Sequence, residues 1–600
     1  TDLSVSEDDS SRCITTFTLI ILFLLFFCSF NATAQVEADS LESDTLETGD
    51  EIEALVEQTE SEEESSLLDD LDALLFTNIS VEVRSRLIQK LQRADGFTNG
   101  KYLGSPMKFY QRLKMYQGEH LSGGLLFEKD AGEEQFTNFT TGFIKLSSVG
   151  PFTSIIAGDY LVEAGQGISL WRGYDVRKGV NVVTPVKRKP RGIVPYASAD
   201  ENSFLRGIAL QTVVSDFSLT GFYSRRELSG TIDTSNGLEH ISSMYVTGYF
   251  RTESEMQKQN TFAENLFGGS ITYKLSESNT IGLSGYRSSY SIPLSLSNGF
   301  SGDINSILSL NYNLTVRNLK LFGEWAKDNS NAVAGNSGLM IQPSHSIDII
   351  TSYRNYESGF FNPHGNGFAE GSDLSNEEGW YLGTKMKLHR MVTVSSYFDV
   401  FRFPEATFSS LYPSHGDDFM LQVESRPASK LLSTIRYARK RIEEDAGSFG
   451  DTRTKQSVRL NFDYKPSKNV KLRGRFEYVD VQKRLSATRE HGTLVYGDIG
   501  MSVSKDLLLN FRLVFFKTDS FDAGVAEYEN DLPGVLSVPI LYGEGVRWYT
   551  FLKYEILTTL DISLKYSDLI REGVKHIGSG LDELPSNHDN RVGVQIDYRL

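Results

Sequence analysis

The sequence predicts an all-β protein: a large transmembrane antiparallel β-barrel of about 22–26 strands, with an irregular internal segment and a disordered N-terminal tether. Three observations predict it. Apolar and polar residues alternate in many segments of about ten residues, short links between these segments interleave with long ones, and the only long apolar run lies near the start of the chain. With no second run long enough for a membrane helix, a helical bundle is excluded. The residue content of 37 Phe, 28 Tyr and 51 Gly against 15 Pro is rich in strand formers and poor in breakers.

In a membrane strand, every second side chain meets lipid and the others meet the lumen. In Trp380–His389 the outward set is Trp380, Leu382, Thr384, Met386 and Leu388, with Lys385, Lys387 and His389 opposite. Val458, Leu460, Phe462 and Tyr464 alternate with Arg459, Asn461, Asp463 and Lys465. Val470, Leu472, Gly474, Phe476 and Tyr478 alternate with Lys471, Arg473, Arg475 and Glu477. A charge facing lipid at midplane costs about 2–4 kcal/mol, so the basic rows are expected to face inward, which fixes the register.

Ser276-Glu277-Ser278, Pro427-Ala428-Ser429, Pro466-Ser467-Lys468 and Ser504-Lys505-Asp506 read as tight turns at one end of the barrel. Residues 228–262, 355–376, 441–454, 481–491, 518–544 and 570–589 read as long loops at the other. Val592, Val594, Ile596, Tyr598 and Leu600 alternate to the last residue. They form a closing strand of the kind that outer-membrane assembly machinery recognises. Strands counted from Ile79 number about 24.

Ahead of the wall, Ile14 to Phe30 is apolar and Ala32-Thr33-Ala34 is a small-x-small site, so residues 1–34 read as a signal peptide; an uncleaved anchor is the alternative. Cys13 and Cys28 both lie in that region, and Phe27 before Cys28 argues against lipidation. Residues 36–72 hold sixteen Asp or Glu and no Lys or Arg. Removing those charges, and the net three negative charges of residues 1–34, from the total of -18 leaves +1 for residues 73–600. The acidity therefore belongs to a solvated tether, residues 35–77, in which Ser66 to Phe76 has helical spacing.

Between Gly158 and Gly207 the alternation breaks. This segment carries Arg172, Arg177, Lys178, Lys187, Arg188, Lys189 and Arg191, with Arg206 near its end. A fifty-residue irregular stretch inside a compact fold is functional or disordered, and its Trp, Tyr and Gly-Gln-Gly favour order. The expectation is an insertion into the lumen, a plug or constriction whose bases meet interior carboxylates; the alternative is an external loop with hydrated charges.

Here the chain resembles a known family. Tyr102-Leu103-Gly104-Ser105-Pro106, Phe127-Glu128-Lys129-Asp130-Ala131-Gly132-Glu133, Gly158-Asp159-Tyr160, Gly165-Gln166-Gly167 with Trp171, and Pro195-Tyr196 leading to Phe204-Leu205-Arg206-Gly207 are similar to motifs of helix-hairpin-helix-containing, competence-protein-like outer-membrane barrels. The resemblance covers residues 102–207, with weaker barrel-like similarity beyond. It implies a relative of proteins that bind DNA phosphate through a Gly-containing hairpin. No such hairpin stands between residues 36 and 78, and sixteen uncompensated acids repel a polyanion, so nucleic acid is a doubtful partner.

Other chemistry is sparse. Leu170 stands where a dinucleotide loop beginning at Gly165 needs its third Gly, and the nine His are dispersed. Asn362-Pro363-His364-Gly365-Asn366-Gly367 with Glu370 and Asp373 reads as a plain external loop rather than a Ca²⁺ site. No cofactor, metal or catalytic residue is expected. The function expected is a channel or transport-type, porin-like barrel with a lumenal constriction, in the outer membrane of a Gram-negative-type bacterium. The alternative is a non-catalytic platform for secretion, DNA-uptake or surface-assembly partners. Expected partners are outer-membrane lipid, the barrel assembly machinery through Val592–Leu600, and a periplasmic protein.

Overall fold

The computed structural model describes residues 79–600 apart from 172, 174–176, 236, 298 and 447–448. The signal peptide, the tether and the 66–76 helix fall outside the described residues. Twenty-seven strands share one sheet, and twenty-four of them form a closed antiparallel wall. Closure is made by Ile79–Lys90 against His588–Arg599, with Glu82 opposite Arg599 and Lys90 opposite Arg591. No helix of the described residues is long and apolar enough to cross a membrane; the strands make the crossing.

Alternation fixes which face each residue takes. Trp380 and Leu382 are 58% and 50% exposed, while Tyr381 between them is buried. Leu472 and Phe476 face out, and Arg475 and Glu477 are buried inside. Ile144, Leu308, Leu321, Phe462 and Phe515 extend the outward apolar belt around the wall. A belt of that extent is matched to hydrocarbon rather than water, and a closed sheet leaves no unpaired backbone within it. The chain is a membrane-spanning β-barrel.

Ile79 pairs with Gln117 beside a short turn, and Val81 exchanges backbone hydrogen bonds with Leu600, so the first and last described residues lie at the short-turn end. The turns at 317–318, 390–391, 429–430 and 468–469 share that end. Two expected loops are instead mostly strand. Leu431–Ala446 and Phe449–Ser467 pair without interruption from Leu431 opposite Tyr464 to Ala446 opposite Phe449, and Val470–Lys483 and Thr488–Ser502 form the neighbouring tall hairpin. Their polar composition marks strands that rise beyond the bilayer, where both faces are hydrated and ion pairs such as Arg441–Asp417 (2.6 Å) replace the apolar face.

Three long connections turn back into the barrel: residues 164–204, 357–376 and 519–543. The first two pack with inward wall side chains in shared apolar clusters, one holding Ile168, Leu170, Phe360 and Leu374, the other Val182, Val186 and Phe368 with Phe322, Tyr381 and Met420. The third packs Ala523, Val525 and Leu541 on Val514 and Phe516, and Leu532 on Tyr549 and Phe551.

Candidate functional site in the barrel lumen

The 164–204 segment leaves the wall after Phe152–Glu163, at the long-loop end, and descends. Its lowest part reaches Phe322, the fourth residue of Leu319–Asp328, and Gly383, where an added Cβ would lie 3.0 Å from Val182. It therefore spans most of the depth of the wall. Two attachments hold it.

The first attachment is a backbone cradle. Gly165 and Gly167 take φ of +56° and +85°, which turns successive amides toward one point. That point is the inward carboxylate of Glu324, which accepts from Gln166 N (2.7 Å), Ile168 N (3.0 Å), Ser169 N (3.0 Å) and Ser169 Oγ (2.5 Å). Consecutive amides arranged in this way form an anion nest, here filled by the wall's own acid. A Cβ at Gly165 would stand 2.5 Å from Glu324 Oε2. The Gly-Gln-Gly motif is thus an attachment point.

The second attachment is ionic. Lys178 is buried against Glu370, Asp399 (2.5 Å) and, farther off, Asp418 (3.6 Å). Asp399 also takes both terminal nitrogens of buried Arg354 (2.8 and 3.0 Å), whose Nε pairs with Glu377. Burial alone would lower the Lys178 pKa, but Asp399, Glu370 and Asp418 raise it above the ordinary ammonium value. Burial would likewise raise that of Glu370, yet Lys178 and Lys440 hold it below the usual carboxylate range. Removing one partner of such a buried cluster typically costs about 3–5 kcal/mol.

The other basic residues take varied places. Arg188 lies over the Trp171 ring (4.8 Å), its amide donating to Gln166 Oε1 (2.9 Å). Arg177 borders a small void with Asn366 and Gly371. Lys187 sits over Phe322 at 5.8 Å, and burial, helped by Lys320 and Lys189, lowers its pKa; Lys189 itself is exposed. Arg191 is held by Glu163 (3.0 Å to Oε2), and Arg172 lies outside the described residues. Arg206 belongs to the wall strand Leu205–Val214, half exposed and sharing parity with outward Ile208. It pairs with Asp159 (2.6 and 2.9 Å) and so ties wall strands together rather than entering the lumen.

The remaining motifs interlock around the same region. Gly158 stands opposite Gly207, buried Tyr160 donates to Tyr223 O (2.7 Å), and Trp171 N donates to His364 O (2.9 Å). Lys129 Nζ reaches Ser105 Oγ (2.7 Å), while Glu133 accepts from Asp130 N (2.8 Å) and Phe250 N (3.1 Å). Burial, with Asp130 adding repulsion, pushes the Glu133 carboxyl up to about 7.

The 357–376 connection, expected outside, lies inside: Asn362 Nδ2 donates to Ile168 O (2.6 Å) and Ser169 O (3.0 Å). Its Gly and Asn residues permit close backbone approach, a use that composition does not distinguish from a hydrated turn. His364 Nε2 meets Glu264 Oε1 (2.9 Å), but Ser288 Oγ donates to that same carboxylate (2.7 Å). His364 and Ser288 share one acid at a buried site, unlike a nucleophile aligned on a base. Sequence reading placed Glu370 only in an external loop, and missed Glu324, Glu264, Asp399 and the carboxylates Glu527 and Glu529, which the 519–543 connection carries to Arg512 (2.6 Å) and Arg547 (2.8 Å).

Toward the short-turn end, a polar cavity of about 510 Å³ opens between the wall and that connection, lined by Lys465, Lys468, Lys471, Arg473, Asn510 and Asp531 among others.

No family model and no curated relative matches the chain. Among solved structures it is similar to the siderophore receptor PirA from Pseudomonas aeruginosa, at 9% identity and a TM-score of 0.42 over 88% of this chain and 81% of that one. It is also similar to the copper transporter OprC, at 9% identity and a TM-score of 0.43 over 88% and 81%. OmpT of Vibrio cholerae matches at 11% identity and a TM-score of 0.27 over 65% of this chain and 100% of that one. These likenesses concern the fold alone.

Proposed function

We propose that this protein is a transport-type outer-membrane barrel whose lumen is constricted by its own 164–204 segment and whose lower vestibule favours anionic solutes. The observation that carries the reading is the double attachment of that segment to the inner wall, by the Glu324 cradle and the Lys178 cluster. A segment serving only as a surface loop has no use for buried charge at mid-depth. Below it, inward Lys320, Lys385, Lys387 and Lys465 support selection by sign of charge.

Planar-bilayer recording tests the proposal. The full chain is expected to conduct weakly, and deletion of residues 165–200 to raise conductance at least several-fold, with a reversal potential in a KCl gradient that reports anion preference. Unchanged conductance would overturn the constriction. We further infer kinship with the helix-hairpin-helix-containing outer-membrane barrels; the mutual contacts among the motif residues of 102–207 support it.

A further inference from the structure

The mouth at the short-turn end is electrically lopsided. Along one arc, residues 317–320, 344–348, 385–391, 424–431, 463–471 and 502–506 hold eleven Lys or Arg against four Asp or Glu. The rest of the mouth, residues 79–84, 114–121, 145–154, 211–218, 272–280, 553–561 and 597–599, holds six against seven. Arg317, Lys320, Lys387, Arg390, Lys465 and Lys468 of the basic arc have no carboxylate within ion-pair distance among the described residues. The cavity of about 510 Å³ opens on the same arc, with Lys465, Lys468 and Lys471 in its lining.

We infer that the basic arc is the docking surface for the acidic segment 36–72 of this same chain. The charges are complementary: sixteen acids without a base face an arc with seven excess positive charges. Location agrees, since the chain enters the wall at Ile79 at this same end. Reach agrees as well. Twenty-four strands spaced about 4.8 Å apart and tilted about 40° enclose a mouth roughly 45–50 Å wide. Residues 61–78 can extend to about 60 Å. Because both partners are on one chain, their effective concentration is high and weak individual ion pairs suffice. This inference goes beyond the transport reading and does not rest on it.

Disulfide crosslinking in the full chain, reconstituted in detergent micelles with Cys13 and Cys28 replaced by Ser, tests it. Ser61→Cys is paired either with Ser467→Cys on the basic arc or with Ser276→Cys on the other. Both sites are exposed and each lies seven wall strands from Ile79–Lys90, so reach alone gives equal rates. At about 20 mM salt the link to position 467 is expected to form at least threefold faster, the ratio falling toward one at about 0.5 M as screening shortens. Carrying E60K, E62K, E63K and E64K in the tether, which leaves the barrel sequence untouched, should abolish the preference. Equal rates at low salt, or a ratio indifferent to salt or to the tether charges, would overturn the inference and assign the arc to a polyanion from outside the chain. Heat-modified mobility on gels confirms that each variant has a folded barrel.

Discussion

Across Leu431–Tyr437 and Val458–Tyr464 the wall is built by repetition, with neighbours stepping in even register and every second side chain turned to lipid. Across Tyr102–Gly207 it is built by fitted contacts: Lys129 bridging to Ser105, Asp159 to Arg206, and a run of amides closing on Glu324 far along the chain. The first kind of construction tolerates any residue of the right polarity. The second depends on individual atoms. One barrel thus contains a generic wall and a specific insert, and the two should respond differently to substitution.

The largest expected effect is on the insert. Lys178→Met removes the cation that Asp399 and Glu370 share, leaving them only Arg354 and Lys440, and should loosen the 164–204 segment by about 3–5 kcal/mol. Limited proteolysis should then cut within residues 177–191 while the wall stays folded. Equal protection in variant and parent would break the contrast. Next comes the wall. Leu382→Arg places a charge on the lipid face and should cost about 2–4 kcal/mol if at midplane, whereas Lys385→Leu on the opposite face should cost far less. Urea unfolding in lipid vesicles measures both, and similar losses would sink the assignment of faces.

The smallest effect is a pH dependence at the long-loop end. The Glu133 carboxyl is pushed up to about 7 by burial and Asp130, and that of Glu201 to about 9 by burial with Glu133, Asp130 and Glu128 close by. Both values exceed the unfolded one, so the folded contacts bind protons more tightly. Their stabilisation is full below about pH 4.5 and is lost as pH rises through 7 and then 9. Protection of the amides of residues 245–257, next to Glu133, relative to their intrinsic exchange rate should fall over that interval. A flat profile would remove these acids from the account.

This division also explains what the sequence disclosed. The strand number and the facing of Trp380, Leu382, Arg475 and Glu477 were legible because a period of two between two solvents leaves a mark on every strand. The irregular segment was legible as an interruption, and its basic residues as candidates. Its acceptors were not: Glu324 lies more than 150 residues from Gln166 and looks in sequence like any inward acid of a strand. The 357–376 and 519–543 connections were read as external because a hydrated lumen and open water select the same polar residues. Arg206 illustrates a third limit, since its proximity in sequence to the basic cluster says nothing about which side of the sheet it takes.

The wall closes by hydrogen bonds between its first strand and its last, Val83 opposite Tyr598 and Leu87 opposite Val594. While the polypeptide is being synthesised, Ile79–Lys90 therefore has one permanent neighbour missing until His588–Arg599 exists. A partly made chain carries two bare backbone edges, each a template for promiscuous pairing. Such a wall cannot close before His588–Arg599 has been made.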